Sequence, residues 1–383
     1  MKRGAMTLQD DTPIPGLMPT KKRSKRAKTA IGIATAGLLL LAGGTVASAV
    51  TSNGTANCTA SPKAYQVEQG TRISVVCTIP GTAGGTSTVT QTVTHTVTAS
   101  PTSSPTTTPA PDEWPDASNT GVPAGTLLTA YTGPNTITVN GTVIDGKTVT
   151  GDLDIEASNV IIKNSVVNGQ IANYAEDFPD ASFTITDSTV NVGNTSGTGI
   201  GHGPFTATRV EVTGGNRSID CAWQCTVEDS WVHGQFTDPS GSFHESGIRV
   251  GAYSTITHNR IACDAPFVAP DGGCSAALTG YPDFAAVQHN KIDGNFFVAN
   301  TYATPEGVFS MAFCAYFGDT PGKAYSGQTI DIDVTNNVWE KDGVGSHSNC
   351  GYYGPYVDFP EQDPDSTWIN NTMTDHSVLL SNY

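Results

Sequence analysis

Val227-Glu228-Asp229-Ser230-Trp231-Val232 follows the pattern apolar, any, polar, Asn or Ser, any, apolar, and the pattern returns along the chain. It recurs as Ile162-Lys163-Asn164-Ser165-Val166-Val167, as Ile185-Thr186-Asp187-Ser188-Thr189-Val190 and, with valine at the fourth place, as Ala207-Thr208-Arg209-Val210-Glu211-Val212. Further on come Ile256-Thr257-His258-Asn259-Arg260-Ile261, Val287-Gln288-His289-Asn290-Lys291-Ile292, Val334-Thr335-Asn336-Asn337-Val338-Trp339 and Trp368-Ile369-Asn370-Asn371-Thr372-Met373. Their first positions are separated by 23, 22, 20, 29, 31, 47 and 34 residues. A period near 22 residues, built of short β-rich pieces without helical periodicity, matches one turn of a solenoid whose strands stack in parallel. The longer intervals read as turns that carry inserted loops.

The fourth position becomes a column of Ser165, Ser188, Val210, Ser230, Asn259, Asn290, Asn337 and Asn371. Amides stacked about 4.8 Å apart can hydrogen-bond from coil to coil and satisfy polar groups at a bend, so this column is expected to be structural. A second column, Gly199-Ile200-Gly201, Ser218-Ile219-Asp220 and Gly247-Ile248-Arg249, places an isoleucine inward and its neighbours outward.

Together with Trp114-Pro115-Asp116-Ala117-Ser118-Asn119-Thr120-Gly121, Val143-Ile144-Asp145-Gly146-Lys147 and His244-Glu245-Ser246-Gly247-Ile248-Arg249, these segments resemble the right-handed parallel β-helix proteins of the pectate-lyase-like superfold, in particular secreted bacterial members of unassigned activity. The resemblance runs from about Trp114 to the C-terminus. It implies an all-β parallel solenoid with inserted loops. Many polysaccharide lyases and hydrolases share this superfold, as do tailspikes and adhesins, so activity has to be read from outward-facing residues.

Only 14% of the 383 residues are charged, against roughly 25% in an ordinary soluble protein, which argues against long helices with charged outer faces. Residues 1–49 hold eight Lys or Arg and two Asp or Glu, whereas the remainder holds eleven and 33, a division into +6 and −22. A body of that sign repels polyanions and excludes nucleic acid as a partner. The basic run Lys21-Lys22-Arg23-Ser24-Lys25-Arg26-Ala27-Lys28 precedes an uncharged stretch from Ala30 to Val50, and Ala47-Ser48-Ala49 offers a small-x-small cleavage pattern. Residues 1–49 therefore read as a signal peptide or an uncleaved N-terminal anchor, either of which exports the rest, and membrane contact is expected only through this segment if it stays uncleaved.

Eight cysteines in an exported chain imply disulfides, and local spacing favours Cys58–Cys77, Cys221–Cys225, Cys263–Cys274 and Cys314–Cys350. Zinc lacks the paired spacing it requires. Residues 50–80 form a small extracellular segment with a cysteine pair, and residues 81–112 a Ser/Thr/Pro-rich linker with too few apolar side chains to fold alone. The alternation Thr88-Val89-Thr90-Gln91-Thr92-Val93-Thr94 also fits an extended ribbon. Residues 113–383 form the β-helix domain.

Loops lengthen after the fourth repeat, and segments 235–246, 264–283 and 295–328 are expected to leave one corner and wall a cleft. Beside it, Asp220 and Arg249 occupy equivalent outward positions, with Arg217, His244 and Glu245 just before them. Arg249, His244, Glu245 and Asp220 are the candidate catalytic set: arginine to hold a uronate carboxylate, and His244 or a base of shifted pKa to abstract a proton, as β-elimination requires. The alternative is an Asp220–Arg249 salt bridge. A neighbouring row of Glu211, Trp231, Arg260 and Lys291, with His233 beside it, makes Trp231, His233, Arg217 and Arg260 candidate glycan-binding residues; Arg260 resting on Trp231 is the structural alternative. Gly201-His202-Gly203 matches a tripeptide of β-helix polygalacturonases, but the paired aspartates that such hydrolysis needs are missing. Asp220, Asp229, Glu228 and Glu245 leave calcium open as a cofactor. The resulting expectation is a secreted or cell-surface protein acting on a polysaccharide or cell-wall glycan by lyase-type chemistry, or alternatively a non-catalytic glycan-binding or adhesion module on a stalk.

Overall fold

The computed structural model describes residues 114–300, 311–341 and 350–381, together with the backbone of five strands between residues 47 and 93. The leader falls outside these residues, apart from the first part of strand Ala47–Thr51. Among the described residues no helix is long and apolar enough to cross a membrane.

From the first repeat to the last, the chain winds as a right-handed parallel β-helix. Each coil contributes one strand to each of three ladders. The first ladder runs through ten strands from Thr129–Ala130 to Thr372–Met373. The second runs from Thr136–Ile137 to Gly354–Val357 and the third from Val143–Asp145 to Thr367–Ile369. These two merge into one 18-stranded sheet, joined at Ala252 and Gln288.

Side chains alternate across each strand, so one residue per strand stacks on its equivalent in the next coil. Ile200, Ile219, Ile248, Leu278 and Ala315 are such a stack in the second ladder, all fully buried. Val167, Val190, Val212, Val232 and Ile261 do the same in the first, and Ile162, Ile185, Ala207, Val227 and Ile256 in the third. The described interior is thus packed side chain on side chain.

The repeated hexapeptide is the corner between the third ladder and the first. Its third residue adopts positive φ: 49° at Asn164, 48° at Asp187, 51° at Arg209, Asp229 and His258, 57° at Asn336 and 55° at Asn370. The left-handed region is costly for most L-residues and least so for Asn, Asp and Gly, which explains the polar preference at this place. The fourth residue points inward and carries the ladder. Asn259 Nδ2 donates to Asn295 Oδ1 at 3.0 Å, Asn295 Nδ2 to Asn337 Oδ1 at 3.0 Å, and Asn337 Nδ2 to Asn371 Oδ1 at 3.1 Å. Ser230, Ser188 and Ser165 continue it, each hydroxyl accepting a backbone N–H from the preceding coil.

One register differs from the sequence reading. The ladder residue of its coil is Asn295, not Asn290, and the corner copy is Ile292-Asp293-Gly294-Asn295-Phe296-Phe297, with Gly294 at φ 64°. Glycine takes the left-handed site without steric cost, which hid the pattern from a search for a polar residue there. Asn290 instead serves the corner between the second and third ladders, accepting from Ser254 N at 2.9 Å and donating to Gly251 O at 2.9 Å. Lys291 therefore belongs to the third ladder, between Thr255 and Asp333, and not to the row of Trp231 and Arg260.

The long loops leave from two corners, not one. Residues 234–243 and 262–272 connect the first ladder to the second, whereas 280–287 and 317–329 connect the second to the third. They flank the second ladder on both sides. Strand Gly273–Thr279 runs within the segment 264–283, and strands Phe296–Phe297 and Phe313–Tyr316 run within 295–328.

The other compact unit, residues 20–108, contains the antiparallel strands Ala47–Thr51, Gly54–Ala60, Tyr65–Val67, Gly70–Pro80 and Thr86–Val93. Cys58 and Cys77 are register partners there, although their side chains, and hence the expected bond, lie outside the described residues. Strand Thr86–Val93 coincides with the Thr-Val alternation. Its remainder, 94–112, lies outside the described residues.

Candidate functional site

Asp220 and Arg249 are register partners on adjacent strands of the second ladder, in the column Gly201, Asp220, Arg249, Thr279, Tyr316. Their ion pairs run in opposite directions. Asp220 Oδ2 lies 2.8 Å from Nδ1 of His202 on the preceding coil, while Arg249 Nη2 lies 3.5 Å from Asp283 Oδ2 and its guanidinium sits over the Phe284 ring. Burial drives the Asp220 carboxyl upward, but the His202 hydrogen bond and the charges of His202, Arg249 and Arg217 outweigh it and hold the group below the ordinary range.

An ionised Asp220 makes His202 Nδ1 the donor, which leaves the lone pair of a neutral ring on Nε2. The imidazole side chain is 22% exposed and tilted against Tyr174. The residue pairing was not visible in sequence, where His202 stood out only as the centre of Gly201-His202-Gly203. Alternation could not have found it: the register pairs Asp220 with Gly201 and His202 with the buried Cys221, so the two side chains meet on a diagonal, 18 residues apart.

Asp283 bridges two cations, since its other oxygen is 2.9 Å from Lys323 Nζ. Lys323 also lies over the Tyr281 ring, and Tyr281 packs on Tyr316 with centroids 4.8 Å apart. Burial pushes the Tyr316 phenol up to about 12, and burial with the neighbouring Tyr316 raises Tyr281 well above its ordinary value. Both phenols stay protonated at neutral pH. Sequence inspection missed Asp283, Tyr281 and Lys323, because loops of unequal length bring them to the ladder, and Tyr316, because its strand follows such loops.

Two expected members of the set are directed elsewhere. His244 Nε2 is 2.8 Å from the Asp271 carbonyl oxygen and 3.6 Å from its carboxylate, a loop contact. Glu245 is fully buried beside Cys274 in register, and burial, with the nearby Asp238 charge, pushes its carboxyl up to about 8. Arg217 pairs in register with Thr198 and Ser246, three residues before Asp220.

In the first ladder, Glu211, Trp231 and Arg260 do form a row. His233 stacks on Trp231 at 3.6 Å between centroids, and its Nε2 is 3.2 Å from Glu211 Oε1. Arg260 lies over Phe296 of the next coil, not over Trp231. The Trp231 face is therefore covered on one side by His233.

The residues considered for calcium do not converge: Asp220 faces His202, Asp229 faces His258 at 2.6 Å, and Glu245 is apart from both. Among the described residues no group of three or more His, Cys, Asp or Glu side chains is arranged to hold a metal. Cys221–Cys225, Cys263–Cys274 and Cys314–Cys350 are disulfides, as local spacing predicts, and suit an oxidising compartment. Comparison with protein-family models, with curated proteins and with solved structures finds no match to this chain.

Proposed function

We propose that the outer face of the second ladder processes an exported or cell-surface polysaccharide by lyase-type β-elimination, as enzymes of the pectate-lyase-like superfold do. The observation that carries this reading is Asp220, which holds His202 on one side and stands in register with Arg249 on the other. Arg249 binds the uronate carboxylate and stabilises the charge that develops as the neighbouring carbon loses its proton. His202 Nε2 takes that proton. The electron pair forms the ring double bond, the glycosidic C–O bond breaks, and the departing oxygen takes a proton from solvent.

An acidic body opposes an acidic substrate unless a local basic patch offsets it. Arg217, Arg249 and Lys323 supply such a patch around Asp220 and Asp283. The test is ultraviolet detection of unsaturated products from a panel of uronate polymers. Product with wild type and none with Arg249→Ala, both folded, supports the reading; no product from any polymer sinks it.

A second reading, glycan binding without turnover, draws on the corner after the second ladder. There Trp223, Tyr253 and His289 follow one another coil by coil, with centroids 4.7 and 4.6 Å apart, and Trp223 and Tyr253 are 36% and 46% exposed. Exposed aromatic rings in line offer stacking faces to neutral sugars. Retained glycan pull-down without turnover would favour it.

A further inference from the structure

Residues 114–122 hold no strand; they run along the outside of the first ladder, against the direction of winding, before the chain begins its first coil at Thr129–Ala130. At one end the Trp114 ring stacks on His258, with centroids 5.6 Å apart, and packs on Phe296 at 5.2 Å. At the other, Gly121 N donates to Arg209 O at 3.0 Å and Val122 N to Thr189 Oγ1 at 3.4 Å. Phe296, Arg260, Trp231, Glu211 and Thr189 are register partners on five successive coils, so the segment spans four strand spacings, about 19 Å along the axis.

The segment is shaped for this place. Asp116 closes a turn within it: its carboxylate accepts from Ser118 N at 2.7 Å and Ser118 Oγ at 2.6 Å, and its carbonyl accepts from Thr120 N at 3.1 Å. The Ser118 hydrogen bonds, with the charge of Arg260 on the ladder, hold that carboxyl below the ordinary range. Pro115 and Gly121 are buried. Gly121 has φ 76°, and a Cβ on it would stand 2.7 Å from Thr189 Oγ1, so glycine is what lets the backbone lie this close. The first coil, by contrast, is the weak end of the solenoid. Its strands Thr129–Ala130, Thr136–Ile137 and Val143–Asp145 hold two or three residues and, among the described residues, pair on one side only. Leu127, Val139 and Val143 are exposed there. A coil with one neighbour is the first to unwind.

We propose that residues 114–122 are a strain-relief strap, which takes up tension arriving from residues 1–113 at the coil of Phe296 and keeps it off the first coil. Without the strap, a pull on the N-terminal part of the chain reaches Thr129–Ala130 directly and peels it from Lys147–Thr150, its one partner strand. With the strap, the pull meets Trp114 first and passes into a coil that has neighbours on both sides. An anchor or a stalk on the N-terminal side would supply that tension. The strap lies on the first ladder, away from the Asp220–Arg249 column, and does not depend on the reaction proposed for it.

The experiment is constant-force pulling on the full chain, with one handle on the cysteine of Glu113→Cys, so that the strap is loaded directly, and the other at the C-terminus. The lifetime before the first unwinding step is compared between this chain and the same chain carrying Trp114→Ala or Trp114→Phe. Losing the two ring contacts of Trp114 should make the first step about tenfold faster in Trp114→Ala, because forced unwinding follows the opening rate. Trp114→Phe keeps a ring in place and should fall between the two. The later steps of each trace, from coils beyond the strap, should be unchanged, which shows that the variants are folded. If Trp114→Ala does not fold, the lifetime of Trp114→Phe decides alone. A first step equally fast in all chains, or later steps accelerated as much as the first, overturns the proposal and leaves residues 114–122 as ordinary surface packing.

Discussion

His202 and Asp220 meet at 2.8 Å across two adjacent coils, an imidazole and a carboxylate brought together by stacking and not by sequence proximity. The pair fixes which nitrogen of His202 faces away from the protein. Replacing His202 by alanine should reduce turnover of a uronate polymer about 10²–10⁴-fold, the range of a lost general base, and lower the thermal midpoint, because Asp220 loses the partner that offsets its burial. Asp220→Asn should cost a comparable factor, since it leaves the imidazole in place but favours the wrong tautomer. Steady-state rates for both, beside their melting curves, test the assignment; unaltered turnover in His202→Ala rejects it.

The asparagine ladder gives a stability prediction. Asn295→Ala removes the donors to Ile256 O and Asn337 Oδ1 and the acceptor for Asn259, leaving buried groups unpaired at about 1–3 kcal/mol each. Lys291→Ala, at an exposed position of the third ladder, should change stability by no more than about 0.5 kcal/mol. Urea denaturation of the two variants compares them, and equal midpoints would remove Asn295 from the ladder.

Glu245 sets a pH dependence of stability. Its carboxyl titrates about 8 in the folded chain against 4.5 ordinarily, so the folded state binds the extra proton between those values. This stabilisation is fully present below pH 4.5 and is lost as the pH rises toward about 8. Denaturation midpoints should therefore fall across that window for wild type and fall less steeply for Glu245→Gln. Parallel curves would count against the shifted group.

Cys314 and Cys350, 36 residues apart, join the strand Phe313–Tyr316 to the coil that follows. Chain-entropy arguments for a loop of that length give about 4 kcal/mol. The Cys314→Ser/Cys350→Ser double variant should lose more stability than loss of the Cys221–Cys225 bond, whose closed loop is far shorter. Calorimetric scans of the two double-serine variants provide the comparison.

The solenoid was legible because its corner imposes chemistry on single residues. A left-handed backbone at Asn164, Asp187 or Asn336 and an inward acceptor after it leave a pattern that survives loops of any length. Gly294 satisfies the same backbone need without a polar side chain, and the reading slipped by five residues there, to Asn290. The column of Asp220 and Arg249 was legible for a similar reason, from the inward isoleucines beside them. Asp283, Lys323 and Tyr281 were not, since they reach the ladder through connections whose lengths follow no period. Glu245 looked outward by alternation, but the register shift between Glu245 and Ser246 and the covering loop place it inside.

The corner between the third and first ladders has two residues in eight successive coils, whereas the other connections range from short turns to long excursions. It acts as a clock reset. Whatever length a coil accumulates elsewhere, its next strand starts at the same angular position, so phase error never propagates along the axis. A protein built this way can exchange, lengthen or delete whole excursions around its working face while the register of every other coil stays fixed. Loop grafts at residues 234–243 or 317–329 should therefore alter what the face recognises without disturbing how it is wound.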